Sequence, residues 1–230
     1  MTHDDELPGL LASARVLLFD FDGPLCDVYA GLPAPLVARR LTALVAARDR
    51  AAGSTAEQTD DPVEVLRIAH AADADLGRTV EAALTAAEVD AVAVAGPPTP
   101  GSVAALEAAR AAGRAVVVVS DNSAECVQRF LELHELEEYV VRIVGRPAGQ
   151  PHLMKPNPFP LITAAEQVHM DVTNCVLIGD SLTDIQAAHA AGTTVIGYAD
   201  EPHKADVFTD AQADAVVEGM QTIADALTAA

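Results

Sequence analysis

Positive charge is what this sequence has least of. Its 230 residues hold 14 Lys and Arg against 34 Asp and Glu, a formal net charge of −20. Binding to a nucleic-acid polymer needs Lys and Arg massed against phosphates, so that class is excluded. An anionic membrane surface is an unsuitable partner for the same reason. No apolar run reaches the ~18 residues expected of a membrane-crossing helix. The first six residues, Met1 to Glu6, are acidic, and without a basic segment no signal peptide is expected. Only three cysteines occur, Cys26, Cys126 and Cys175, in no metal-binding or redox spacing. A sparse, odd set fits a reducing cytoplasm better than a disulfide scaffold. What the sequence does have is apolar content, at 50% of residues. That suffices for one large domain, or for a core carrying a smaller insertion.

Short continuous apolar runs recur along the chain. They are Arg15–Phe19, Ala115–Val119, Val140–Val144, Cys175–Ile178 and Thr193–Ile196, with Ala215–Val217 as a weaker last member. Runs without alternation suit strands buried on both faces of a parallel sheet. Between them, helices are expected over Ser102–Ala112, Ser123–Leu133, Pro160–Val168 and Asp184–Ala191. Gly113 and Gly192 stand as end signals. Strands alternating with helices imply βαβ units, hence an α/β fold with a Rossmann-like core and a mostly parallel sheet flanked by helices.

The stretch from 31 to 95 reads differently, because it holds no buried-strand pattern. Leu36–Arg50, Pro62–His70 and Leu76–Glu88 look helical and Ala-rich, with Gly53–Asp60 as a polar break. It is expected to be a small α-helical insertion into a core formed by 1–30 and 96–230, with Pro97–Pro100 as a stiff return linker.

Four polar clusters follow, or could follow, the carboxyl ends of predicted strands, where open α/β sheets bind ligands. Asp20-Phe-Asp22-Gly23 places two carboxylates one residue apart before a turn; one could act as nucleophile and the other as acid and base. Ser120-Asp121-Asn122 combines a hydroxyl, an amide and the N–H groups of a following helix, a setting that could hold an anion. Lys155, before Pro156, lies in a segment whose stiffness would fix the ammonium. Asp180 and Asp184, within Gly179-Asp-Ser-Leu-Thr-Asp184, offer hard oxygen ligands that favour Mg²⁺ over zinc. Taken singly, these also read as an acidic turn, a helix cap, a solvated lysine and an N-cap.

Taken together, in this order, they resemble the haloacid dehalogenase-like hydrolase superfamily over about Val16 to Gly197. The first motif is matched by Asp20, Asp22 and Gly23, the second by Ser120, the third by Lys155 and the fourth by Gly179 to Asp184. Ala187–Gly192 and the helical insertion after the first motif are similar to the phosphoglycolate phosphatase-like branch, where the insertion is a cap domain. Pro24 departs from the Thr or Val often found there.

The resemblance implies a phosphatase acting on a small phosphorylated metabolite. Asp20 would be the nucleophile and Asp22 the acid and base. Ser120 and Lys155, with the neighbouring Asp121 and Asn122, would hold the phosphoryl group. Asp20, Asp22 (through its carbonyl) and Asp180 would bind Mg²⁺, with Asp184 supporting the metal. Members that cleave carbon–halogen bonds generally lack the second acid, so Asp22 favours phosphate esters. A sugar phosphomutase needs the same motifs and stays open. So does a catalytically inactive binding protein, although no motif residue is missing. Arg39, Arg40, Arg48, Arg67, His70 and Arg78 are the groups of the insertion that could meet a second anionic group. Arg146 could reach a substrate but is expected to be solvated, and Tyr29, near the start of the insertion, could touch one but is expected to pack. A monomer or homodimer in the cytoplasm, without nucleic-acid or membrane partners, completes the expectation.

Overall fold

The computed structural model describes residues 7–229. The acidic run that bears on the signal-peptide expectation lies outside the described residues. In chain order the elements are α1 (Leu7–Ser13), β1 (Val16–Phe19), α2 (Ala34–Arg48), α3 (Arg50–Ala56), α4 (Pro62–Ala72), α5 (Ala74–Val92), α6 (Ser102–Ala111), β2 (Ala115–Val119) and α7 (Ala124–Leu133). There follow β3 (Arg142–Val144), α8 (Phe159–Gln167), β4 (Cys175–Gly179), α9 (Leu182–Ala191), β5 (Thr194–Tyr198), α10 (Pro202–Asp210), β6 (Ala215–Val217) and α11 (Met220–Ala229). No helix among the described residues is long and apolar enough to cross a membrane.

The six strands form one sheet in the order β3-β2-β1-β4-β5-β6, and every pairing is parallel. This is a Rossmann-like doubly wound order. The continuous apolar runs follow from burial on both sides. Leu17 and Phe19 of β1 join Val116, Val118, Val176 and Ile178 beneath α1, α6, α7 and α11. Val16 and Leu18 join Val117, Val119 and Leu177 on the opposite face, beneath α8, α9 and α10. Alternation is invisible in the sequence because both faces are apolar.

The residues between β1 and β2 have a hydrophobic cluster of their own, drawn from α2, α3, α4 and α5, with Val37, Leu41, Val45, Leu66, Val80 and Leu84 buried in it. The expected break at Gly53–Asp60 is corrected here: the chain is helical to Ala56. Asp49 ends α2 and caps α3, its Oδ1 accepting from the N–H groups of Ala51 and Ala52 at 2.9 Å. Gly53 is a packing residue: a Cβ there would lie 2.6 Å from the Ala46 Cα, so its absence lets α3 lie against α2. α5 also runs further than Leu76–Glu88, and its end, Ala91 and Val92, is buried in the core cluster beneath the sheet.

Besides most of α3, the helices α1, α10 and α11 lie where the sequence reading assigns none. α11 buries Met220, Ile223, Ala224 and Leu227, a helical stripe, while α10 buries only Phe208.

Candidate active site

β1 and β4 are neighbours at the point where the strand order reverses, and Phe19 pairs with Ile178 across them. The residues that follow, Asp20 and Gly179-Asp180, therefore leave the sheet side by side. A hydrogen bond from Asp20 N to Ile178 O, at 2.9 Å, continues the pairing by one residue. Ser120 leaves β2 at the same end, with its N–H donating to Val144 O at 2.9 Å. In-register parallel strands thus deliver three motifs, far apart in sequence, to one cavity. That cavity, of about 220 Å³, is lined by Asp20, Asp22, Ser120, Asp121, Asn122, Lys155 and Asp180, together with Tyr29, Asp61, Val63, Ser181 and Thr183.

The loop after β1 is a tight turn. Leu25 N and Cys26 N both donate to Phe21 O, and Gly23 N donates to Cys26 O at 2.7 Å. None of these bonds uses the N–H of residue 24, so Pro24 fits without loss. Gly23 has φ of 92°, in the left-handed region, and a Cβ there would lie 2.5 Å from Asp180 Cγ. Only glycine lets the two acidic loops close on each other. Thr99, in the return from the insertion, donates its hydroxyl to Gly23 O at 2.7 Å and so pins this turn.

Lys155 is 2% exposed, and its Nζ lies 2.5 Å from Asp184 Oδ1 and 2.9 Å from Asp20 Oδ1. Burial works against the ammonium, but Asp184, Asp20 and Asp121 outweigh it and push the amine above its ordinary range. Asp20 is held well above the usual carboxylate range by burial and by Asp184, with Lys155 opposing. Its Oδ1 also accepts from Phe21 N at 2.7 Å, while Oδ2 has no hydrogen-bond partner among the described residues. Burial pushes Asp22 up to about 7, against the N–H of Val28, which donates to Oδ1 at 2.9 Å. A carboxyl near neutrality can both give and take a proton.

Asp20, Asp180 and Asp184 each offer a carboxylate oxygen, and the three lie within 4.8 Å of one another. All-oxygen donors at this spacing fit a hard divalent cation. Asp184 has the most prior commitments. It is fully buried, bonding Lys155 through Oδ1 and the Ser181 hydroxyl and N–H through Oδ2, at 2.6 and 3.1 Å. A capping box between Ser181 and Asp184 opens α9 and fixes that carboxylate. Asp180 is raised by burial, opposed by Lys204, whose Nζ is 2.9 Å from Oδ2.

Asp121 and Asn122 line the cavity, yet their side chains are engaged in holding the site together. Asp121 Oδ1 accepts from Lys155 N at 3.1 Å. Asn122 accepts from the Ser120 hydroxyl at 3.1 Å and donates to Glu88 at 3.3 Å.

Two residues absent from the expected set matter here. Lys204 follows the carboxyl end of β5 and pairs with both Asp180 and Asp200; the strand-end criterion applied to the first four clusters would also have found it. Glu88, fully buried on α5, has no sequence signal. The expectation of a solvated Arg146 is corrected: it is 8% exposed, because Glu88 gives it a buried partner at 2.7 Å. Arg146 also donates to Thr85 and to Asp121 O, while Glu88 accepts from Ser123 N at 3.0 Å. This network ties the last helix of the insertion to the loop after β2. Arg146→Met strands the Glu88 charge and should cost about 3 kcal/mol. Urea unfolding reads that loss, and adding Glu88→Gln should recover most of it; a loss well under 1 kcal/mol would mean the pair is not stabilising.

The sequence model of the haloacid dehalogenase-like hydrolase family matches residues 14–192. The phosphoglycolate phosphatase of Xylella fastidiosa (strain 9a5c) is 29% identical over 202 residues, covering 80% of each chain. A subfamily IA, variant 1 hydrolase from Geobacter sulfurreducens PCA superposes with a TM-score of 0.59 at 22% identity, over 94% of this chain and 97% of that one. CbbY from Rhodobacter sphaeroides, in complex with phosphate, superposes with a TM-score of 0.60 at 20% identity, over 90% and 95%. At these identities the two structures speak to the fold alone.

Proposed function

The chain belongs to the haloacid dehalogenase-like hydrolases, and from that premise we propose that it is a Mg²⁺-dependent phosphatase that hydrolyses a small phosphomonoester through an aspartyl-phosphate. One observation carries the reading: Lys155 Nζ sits 2.9 Å from Asp20 within the cluster Asp20, Asp180 and Asp184. A lone carboxylate cluster would repel a phosphate dianion. A buried lysine beside the nucleophile gives the transferring oxygens a cation.

In this reading Asp20 Oδ2 attacks phosphorus, forming an acyl phosphate as the ester P–O bond breaks. Asp22 gives its proton to the departing oxygen, then takes one from the water that releases inorganic phosphate and frees Asp20. Its position near neutrality supports both duties. Ser120 and Lys155 hold phosphoryl oxygens. Asp184 keeps Lys155 in place and stands behind the metal position. Asp20, Asp180 and the carbonyl of Asp22 would hold Mg²⁺, which when bound supplies charge neutralisation to the phosphoryl oxygens. Helices α2 to α5, as a cap over residues 31–95, would exclude water. The phosphoglycolate phosphatase relative supports a small phosphorylated substrate, and three buried free thiols support a reducing, cytoplasmic setting.

The test is phosphate release over a panel of small phosphoesters. Activity with Mg²⁺ that EDTA removes and Mg²⁺ restores is the expected result; release unaffected by EDTA would overturn the metal assignment. Hexose 1-phosphates in the same panel separate hydrolysis from mutase chemistry, since a mutase yields the 6-phosphate instead of free phosphate.

A further inference from the structure

We infer that the substrate's leaving group carries no second anionic charge and ends in a hydroxyl, so that a small hydroxyalkyl phosphate is preferred over a carboxylate-bearing one. The inference rests on the phosphatase reading above and concerns which ester that site takes.

The cavity is lined by five aspartates, Asp20, Asp22, Asp61, Asp121 and Asp180, and by one cation, Lys155. Lys155 is already committed to Asp20 and Asp184. The other lysine near the site, Lys204, is held between Asp180 and Asp200. The insertion side contributes Asp61 and Val63 to the lining, and Tyr29 adds an aromatic ring, so none of the three brings a cation. None of the insertion's six candidate basic groups lines this cavity. Arg67 donates to Lys155 O at 3.0 Å and faces a separate cleft with His70. Arg39 lines a third cavity beside α3, Arg78 pairs with Asp75, and Arg40 and Arg48 are exposed. A carboxylate on the leaving group would therefore enter a cavity lined by the exposed Asp61 and the half-buried Asp121 with no cation in reserve, and like charge would disfavour it.

The insertion is seated in this position, not hovering above it. Arg67 reaches Lys155 O, and Glu88 reaches Asn122 and Ser123 N. Tyr29 supplies a second, independent observation. It lines the cavity, and its hydroxyl is buried without a hydrogen-bond partner among the described residues. A buried hydroxyl left unpaired is costly, and a hydroxyl on the leaving group would satisfy it. At about 220 Å³ the cavity is smaller than the ~300 Å³ at which pockets for drug-sized ligands begin, which suits a small ester.

The experiment compares kcat/KM, with Mg²⁺, for 2-hydroxyethyl phosphate, ethyl phosphate and phosphoglycolate, with acetyl phosphate as a general phosphoryl donor. The first and third differ in little but a CH₂OH in place of a carboxylate. The expected result is at least tenfold preference for 2-hydroxyethyl phosphate over phosphoglycolate. Asp61→Asn keeps the helix cap, because Asn caps as well as Asp, and should narrow that gap about threefold. Tyr29→Phe should remove the advantage of 2-hydroxyethyl over ethyl phosphate. Phosphoglycolate turned over as fast as or faster than 2-hydroxyethyl phosphate overturns the inference, as does a gap that Asp61→Asn leaves unchanged. Failure of all four compounds, acetyl phosphate included, would instead overturn the phosphatase reading on which it rests.

Discussion

Asp20→Asn should lower phosphate release by roughly four orders of magnitude or more, the scale seen when a nucleophile is removed from an enzyme whose other groups remain. The amide keeps the shape and can still accept from Phe21 N, as Asp20 Oδ1 does at 2.7 Å. It cannot form the acyl phosphate. The fold should not suffer. Burial and Asp184 hold the Asp20 carboxyl above its ordinary range, which means the native state disfavours its charge. An Asp whose folded pKa is raised makes folding less favourable once pH rises through the unfolded value; a neutral Asn removes that penalty. In metal-free buffer the melting temperature of the variant should equal or exceed that of the wild type. Release above about 1% of the wild-type rate would remove Asp20 from the nucleophile's role.

Lys155→Met should damage both chemistry and stability. Losing the cation beside the transferring phosphoryl group should lower kcat about 10³-fold. It also strands two carboxylates, Asp20 and the fully buried Asp184, that sit 2.9 and 2.5 Å from Nζ. Removing one partner from a buried ionic cluster costs ~3–5 kcal/mol. In a chain of this size that lowers the melting temperature by roughly 10 °C. The double variant Lys155→Met with Asp184→Asn separates the two effects. Neutralising Asp184 should return much of the lost melting temperature and none of the activity. A double variant no more stable than the single one would show that stranded charge is not the cause.

The candidate site was legible because its chemistry sits where sheet geometry puts it. A buried parallel strand announces itself as an uninterrupted apolar run, and the polar residues that end it are the first to leave the sheet. Asp20, Ser120 and Asp180 were readable on that ground. Lys204 obeys the same rule after β5, although its importance depends on Asp180 and Asp200, which it meets only through the fold. Glu88 was not readable. It occupies a mid-helix position that looks solvated, and only the docking of α5 on α7 buries it against Arg146. Gly53 looked like a break because glycine weakens helices; its neighbour Ala46, on another helix, gives it a reason to be helical.

By itself the sequence determined the strand and helix alternation, the parallel sheet and the acids, hydroxyl and lysine at strand ends, because these follow from periodicity and from residue chemistry over a few neighbouring positions. Tertiary structure alone decided which charges meet. Lys155 lies between Asp20 and Asp184, Arg146 is drawn inside by Glu88, and Asp61 and Tyr29 line the cavity while the insertion's arginines do not. Electrostatic interactions depend on distance and burial, and neither is a property of position along a chain.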